Sequence, residues 1–196
     1  MSRPRIIILQ GPTGVGKTDA ALALARDVPV EILNADSMQF YRYMDIGTSK
    51  PGAHQQREVP HHLFSIIDPD EHFNAARYME LGRKTIAEVL ARGRVPLVVG
   101  GTGLYIRALT RGLVSAPDRD SALRQQLHKR GPMSLYAELE RVDPATARRL
   151  NPGDVVRVVR ALEVFYLTGE PLSALHRRHG FSDAPYQCLT LTLERE

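Results

Sequence analysis

Short, unbroken apolar runs alternate with amphipathic stretches through the first half of the chain. RIIILQ (residues 5–10) predicts a first strand, 18–27 a helix, and VEIL (30–33) a second strand ending in Asn34-Ala35-Asp36-Ser37. Residues 41–73 are irregular, rich in Gly, Pro and His, and long for a connection; long ordered connections are often functional. Asn74 can cap a helix over 75–91 closed by Gly93, and VPLVVGG (95–101) reads as a buried strand that runs into a Gly-rich turn and a helix over 103–111. Strands that are apolar throughout, alternating with helices, predict a parallel sheet covered on both faces.

From about Pro117 the period changes. SALRQQLHKRG, SLYAELERV, DPATARRL, GDVVRVVRALEVFYLTG and LSALHRRHG are successive helical patterns, punctuated by Gly or Asx-Pro. A strand pattern returns only at YQCLTLTLE (186–194). The expected organisation is an α/β core over 1–117, a helical insertion over 118–185 and a return strand over 186–196, with the remainder of the core absent. Neither repeats nor low-complexity tracts interrupt this plan.

Composition narrows the class. The 196 residues are 43% hydrophobic and 24% charged, as in an ordinary globular protein. No apolar run approaches the roughly 20 residues that cross a bilayer, so no membrane association is expected. MSRPR leads directly into the first strand without a secretory pattern, and the lone Cys188 has no internal disulfide partner; a cytoplasmic location is expected. Residues 1–100 carry 12 Lys/Arg against 11 Asp/Glu, whereas 101–180 carry 13 against 8. A basic second half joined to a near-neutral first half points to a polyanionic partner or, equally, to a solvated arginine-rich helical surface.

The chemistry starts at GPTGVGKT, residues Gly11, Pro12, Thr13, Gly14, Val15, Gly16, Lys17 and Thr18. Between a strand and a helix this spacing is a phosphate-binding loop: backbone N–H groups and the helix dipole converge on phosphate oxygens, Lys17 neutralises charge, and the Thr18 hydroxyl suits Mg²⁺. The fold class expected is therefore α/β, a P-loop NTPase-like parallel sheet flanked by helices, with a helical insertion domain. VPLVV, however, runs into GGTGLY with no acidic residue of the kind that organises Mg²⁺ or water in ATPases and many kinases. Thr102 and its flanking glycines suit close approach to a ligand. Asp36 lies at the carboxyl end of the second strand, where open parallel sheets bind ligands, and beside the strand that feeds the phosphate loop. There it could act as general base or metal anchor, or merely cap a following turn. Arg157 and Arg160, three apart, share a helical face that could clamp phosphates or simply be solvated.

Together GPTGVGKT (11–18), NADSMQFYRYMDIGTSKP (34–51), VPHHLFSIIDP (59–69), FNAARY (73–78), PLVVGGTGLYIRAL (96–109) and NPGDVVRVVRALEVF (151–165) resemble the bacterial tRNA dimethylallyltransferase family. The resemblance spans essentially the whole chain. It implies transfer of a dimethylallyl group from dimethylallyl diphosphate to the exocyclic amine of the adenosine 3′ to the anticodon, with Mg²⁺ as cofactor. It implies residues 11–18 as the diphosphate site, and Asp36, Lys17, Thr18 and Thr102 as catalytic. Contacts to the tRNA anticodon stem-loop are implied for Asp36, Ser37, Met38, Gln39, Thr102, Arg124, Val156, Arg157, Val158, Val159 and Arg160. The helical insertion would close over that stem-loop, and the protein would be a monomer.

The chain departs from the family at two points. A Gln usually precedes the residue equivalent to Arg157, whereas Val156 stands here and lacks the amide's hydrogen bonds. Family chains also continue past this C-terminus, with further sheet elements, tRNA contacts and an arginine near the diphosphate, so full activity is not expected of residues 1–196 alone. Other readings left open are an adenylate isopentenyltransferase acting on free nucleotides, a P-loop nucleotide kinase, and an inactive tRNA-binding fragment. His61 and His62 are expected to be structural rather than metal ligands, His176 and His179 part of a solvated basic face, Tyr41 and Tyr43 packed, and Cys188 buried.

Overall fold

A computed structural model describes residues 3–194. The chain divides into two compact units, one running to Leu113 and resuming at Asp183, the other spanning Val114–Ser182.

The first unit is built on β1 (Arg5–Gln10), β2 (Val30–Asn34), β3 (His61–His62), β4 (Val95–Gly100) and β5 (Gln187–Thr192). They pair in the order β3-β2-β4-β1-β5, and every pairing is parallel. Alternate strand residues feed two cores. Ile6, Ile8, Leu33 and Val98 pack with α3 (Ala75–Ala91) and α4 (Gly103–Arg111). Leu9, Ile32, Leu97 and Val99 pack with Ala21 and Leu22 of α1 (Lys17–Asp27). Both faces of the central strands are thus buried, which is why their sequences carry no polar alternation. The Asn74 side chain accepts from the Arg77 N–H and starts α3, a cap worth about 1 kcal/mol.

Two expectations need correction. Asp36 does not sit beside the strand that feeds the phosphate loop, because β4 lies between β2 and β1 and pairs with both. Cys188 is exposed rather than buried, since β5 is an edge strand that pairs only with β1 and all six of its residues are exposed.

The irregular connection contains the short helix α2 (Ala53–Glu58), and an isolated parallel bridge joins Tyr41 to Ile67. Tyr41 packs against the core as expected, but Tyr43 is 82% exposed. His61 and His62 are structural: the His61 ring nitrogen Nδ1 lies 2.7 Å from the Val59 carbonyl, and His62 Nε2 lies 2.7 Å from Glu31 Oε2. The buried Glu31 also accepts two bonds from Arg92.

The second unit contains α5 (Ser121–His128), α6 (Pro132–Val142), α7 (Pro144–Ala147), α8 (Val155–Thr168) and α9 (Leu172–His179) around Leu127, Leu135, Leu139, Val158, Val159 and Leu162. Buried Asp143 caps α7 through the Thr146 N–H and also accepts from the Ser173 N–H at the start of α9. On α9, His176 and His179 are half-buried against Phe181, while Arg177 and Arg178 are exposed.

Candidate active site

The phosphate loop leaves β1 and turns through Gly14 (φ 80°) and Gly16 (φ 93°), left-handed conformations that cost a glycine little. Gly16 is the N-cap of α1, so the first N–H groups of that helix face the loop. The Lys17 ammonium donates to the carbonyls of Gly11 (2.9 Å) and Pro12 (2.7 Å). Burial lowers the Lys17 pKa, and the negative charge of Asp36 opposes that shift.

Asp36 is set by the end of β2. Asn34, fully buried, donates from its amide to the carbonyls of Asp36 and Leu63, and its Oδ1 accepts from the Asp36 N–H at 2.8 Å. Asp36 Oδ1 accepts from the Met38 N–H at 3.1 Å; Oδ2 has no hydrogen-bond partner among the described residues. The carboxylate therefore caps the turn and still keeps an oxygen available. Thr102 locks the same turn from the end of β4: its hydroxyl accepts from the Ser37 N–H at 3.0 Å, and its N–H donates to the Ala35 carbonyl.

Of these residues Lys17 and Asp36 line one cavity of about 300 Å³; Thr102, expected to be catalytic, and Asn34 hold the Asp36 turn without lining it. Thr13, Gly14, Gly16, Lys17 and Thr18 line it on the loop side, and Asp36 and Gln39 line it beyond the end of β2. Gly11 and Pro12 serve it indirectly through the carbonyls that hold Lys17, Val15 packs near Gly11, Ser37 is tied to Thr102 outside the lining, and Met38 is 44% exposed. Sequence reasoning missed Ser49, Lys50, Gln55, His61 and Phe64 on the same wall. The Lys50 side chain is only 3% exposed, and its ammonium donates to the Tyr41 carbonyl, Asp45 Oδ1 and Ser65 Oγ. Only the run DIGTSKP marked it. The glycines of GGTG also prove to serve the protein itself: a Cβ at Gly100 would lie 2.2 Å from the Ala35 carbonyl carbon.

Thr18 offers a hydroxyl beside the loop, and no cluster of three or more His, Cys, Asp or Glu forms a cage among the described residues.

In the helical unit the expected tRNA contacts separate. Val156 is 71% exposed, and the Arg157 side chain is 74% exposed and paired with Asp154. Val158 and Val159 are each 1% exposed, so the expected contact through their side chains is corrected: the inward face of α8 is core. Arg124 and Arg160 are both bound to buried Glu163. Six arginines of this unit form ion pairs within it, which leaves Arg119, Lys129, Arg148, Arg149 and Arg177 as its unpaired cations among the described residues.

The sequence profile of the IPP transferase family matches residues 39–196, and that of isopentenyl transferase matches 4–61. The chain belongs to the IPP transferase family. A tRNA dimethylallyltransferase of Geobacter metallireducens is 52% identical over 99% of this chain and 65% of its own length. Another, of Syntrophotalea carbinolica, is 50% identical over 99% of this chain and 64% of its own length. The chain thus spans just under two thirds of the length of these relatives. Among solved structures, a eukaryotic dimethylallyltransferase acting on tRNA superposes with a TM-score of 0.83 at 30% identity, over 98% of this chain and 49% of that one. The tRNA isopentenylpyrophosphate transferase of Bacillus halodurans gives 0.60 at 37% identity, over 97% and 60%. This IPP transferase chain accordingly has the P-loop NTPase-like fold of its structural neighbours. None of its helices, among the described residues, is long and apolar enough to cross a membrane.

Proposed function

We propose that the chain carries the reaction site of a tRNA dimethylallyltransferase. The observation that carries this reading is the pairing, in one cavity, of a phosphate loop with a carboxylate from the end of β2 rather than β4. In the proposed reaction the exocyclic amine of an extruded adenosine attacks the allylic carbon of dimethylallyl diphosphate. The N–C bond forms, the C–O bond to the diphosphate breaks, and the diphosphate departs with the electron pair. Asp36 accepts the proton that the amine must lose, through the oxygen not bound to the Met38 N–H. Loop amides of residues 11–18 and Lys17 stabilise the charge gathering on the leaving group. Mg²⁺, held at the Thr18 hydroxyl, would supply further neutralisation of that charge. Thr102 and Asn34 hold the Asp36 turn in place. Met38, Gln39 and the exposed residues of α8 are assigned to RNA contact, with Arg124 and Arg160 acting through the structure they brace.

The test incubates the chain with labelled dimethylallyl diphosphate, Mg²⁺ and unmodified tRNA, beside Asp36→Ala. Label entering tRNA only when Asp36 is present is the expected result. ATP hydrolysis or phosphoryl transfer without prenyl transfer refutes the reading, and AMP outcompeting tRNA as acceptor redirects it to free nucleotides.

A further inference from the structure

The segment from Gln39 to Pro51, whose ends share the cavity lining with the phosphate loop, has a second feature that the reaction leaves unexplained. Its two ends line the cavity through Gln39 on one side and Ser49, Lys50 and Pro51 on the other. Between them the chain projects an apolar tip, with Tyr43 82% and Ile46 98% exposed. From this geometry we propose that Tyr43 and Ile46 form a stacking platform for an unstacked base of the RNA whose adenosine enters the cavity. The proposal rests on the tRNA reading above.

The tip is held rigidly for an exposed loop. Gln39 Nε2 donates to the carbonyls of Thr48 and Ser49 at 2.9 and 3.0 Å, closing the neck. The Thr48 hydroxyl donates to the Met44 carbonyl, and Lys50 ties Tyr41 and Asp45 to Ser65 from inside. Fully buried Phe40 anchors the entry among Phe73, Tyr78 and Tyr105, and Arg42 pairs with Asp68. Tyr43 itself stands at φ 62°, a left-handed conformation that glycine adopts freely and tyrosine adopts at a cost. Strain of this kind persists where the surroundings impose it and clusters at binding and switch sites. A large aromatic ring is therefore displayed to solvent, on a braced loop, at a backbone position that disfavours it.

The cavity chemistry selects the partner. Extruding an adenosine breaks its stacks with both neighbours and leaves exposed base faces beside the mouth of the site. An aromatic ring recovers that stacking with any base, because every base offers a π-face. The platform lies between Gln39 and Ser49, two residues that line the cavity itself, which favours RNA over a protein partner for the same apolar pair.

The test uses an anticodon stem-loop RNA carrying a terminal fluorophore, and a second version with 2-aminopurine next to the target adenosine. Wild type, Tyr43→Gly, Tyr43→Phe and Ile46→Ser are compared. Tyr43→Gly is expected to bind about 5- to 100-fold more weakly and to lose the 2-aminopurine quenching that wild type shows on binding. Tyr43→Phe should keep both properties, and Ile46→Ser should show a smaller loss. The Tm of Tyr43→Gly should equal or exceed that of wild type, because glycine relieves the left-handed strain, so weaker binding cannot be ascribed to misfolding. Equal affinity and quenching in wild type and Tyr43→Gly overturn the platform while leaving the tRNA reading intact, and leave the tip to a protein partner. A loss shared by Tyr43→Phe overturns stacking in favour of a hydroxyl contact. Failure of wild type to bind the RNA at all overturns both readings.

Discussion

Glu163 gives the most quantitative prediction. Its side chain, on α8, is fully buried in the helical unit, yet it carries the charge around which that unit's entry is organised. Oε1 accepts from Arg124 Nε at 2.8 Å and from the Asp120 N–H at 2.9 Å; Oε2 accepts from Arg124 Nη2 at 2.9 Å and from Arg160 Nη1 at 2.5 Å. Arg160 in turn donates to the Pro117 carbonyl. Burial alone would raise the carboxyl pKa. The bonds from Arg124, Arg160 and the Asp120 N–H outweigh it and bring the value from 4.5 down to about 2. A difference of about 2.5 units at 1.36 kcal/mol each is about 3 kcal/mol of stability at pH 7. Because the folded pKa is the lower one, this contribution is complete above about pH 4.5 and is lost as pH falls from there to about 2, with half gone near about pH 3.3.

The assay is urea unfolding followed by far-UV circular dichroism, on wild type and Glu163→Gln, at a series of pH values from 7 downward. At neutral pH the Gln variant should be less stable by about 3 kcal/mol, since it leaves two half-buried guanidinium groups without a counter-charge. The gap between the two proteins should then narrow across the acid range, because protonation removes from wild type the charge the variant never had. Other carboxylates, Asp143 and Glu138 among them, titrate in both proteins and cancel in the difference. A gap at pH 7 below about 0.5 kcal/mol, or a gap unchanged between pH 5 and pH 2.5, refutes the reasoning: Glu163 would then contribute through shape and not charge.

Two further predictions address the cavity. Lys17→Met should weaken binding of inorganic pyrophosphate by about 10- to 100-fold in calorimetry, the scale of a lost hydrogen bond to a charged group. In wild type that affinity should fall with rising pH from below the ordinary lysine value of 10.5, because burial lowers the Lys17 pKa; a decline that begins only above 10.5 contradicts this. Gly100→Ala should destabilise the fold by about 3 kcal/mol or more, or prevent soluble expression, because its Cβ would lie 2.2 Å and 2.3 Å from the carbonyl carbon and oxygen of Ala35. A variant with unchanged urea midpoint would mean that the β2 and β4 ends can move apart at little cost.

The strands, the phosphate loop and the order of helices were legible because each rests on local information. RIIILQ and VPLVVG are buried on both faces and read as such, and Asn74 announces its helix by its own side chain. What remained hidden depends on contacts distant in sequence. That β4 separates β1 from β2 is a matter of strand pairing across some sixty residues. Whether a residue in DVVRVVR faces solvent or core depends on which helices cover it: the arginines at 157 and 160 diverge in partner, and the two valines between them are core. Arg124 reads as a free surface cation until Glu163, 39 positions away, is placed against it. Lys50 likewise lies in an irregular run, and only its burial beside Tyr41, Asp45 and Ser65 shows why a lysine is there.

The backbone geometry at the end of β4 also explains why the cavity takes its carboxylate from β2. In many phosphate-loop enzymes an acidic residue follows a strand near the loop and organises metal or water. Here β4 ends at Gly100, where the Ala35 backbone leaves no room for a Cβ, and a Cβ on Gly101 would lie 3.0 Å from the Gly11 carbonyl oxygen. A carboxylate cannot be carried at either position without displacing β2 or the phosphate loop. The next residue, Thr102, uses its hydroxyl to hold the Ser37 N–H and its own N–H to hold the Ala35 carbonyl. The close approach that excludes an acid from β4 thus fixes the turn that presents Asp36 from β2. In the proposed reaction the loop would hold the diphosphate while Asp36, from the other strand end, would accept a proton from the incoming amine, the division of labour that group transfer away from a diphosphate requires.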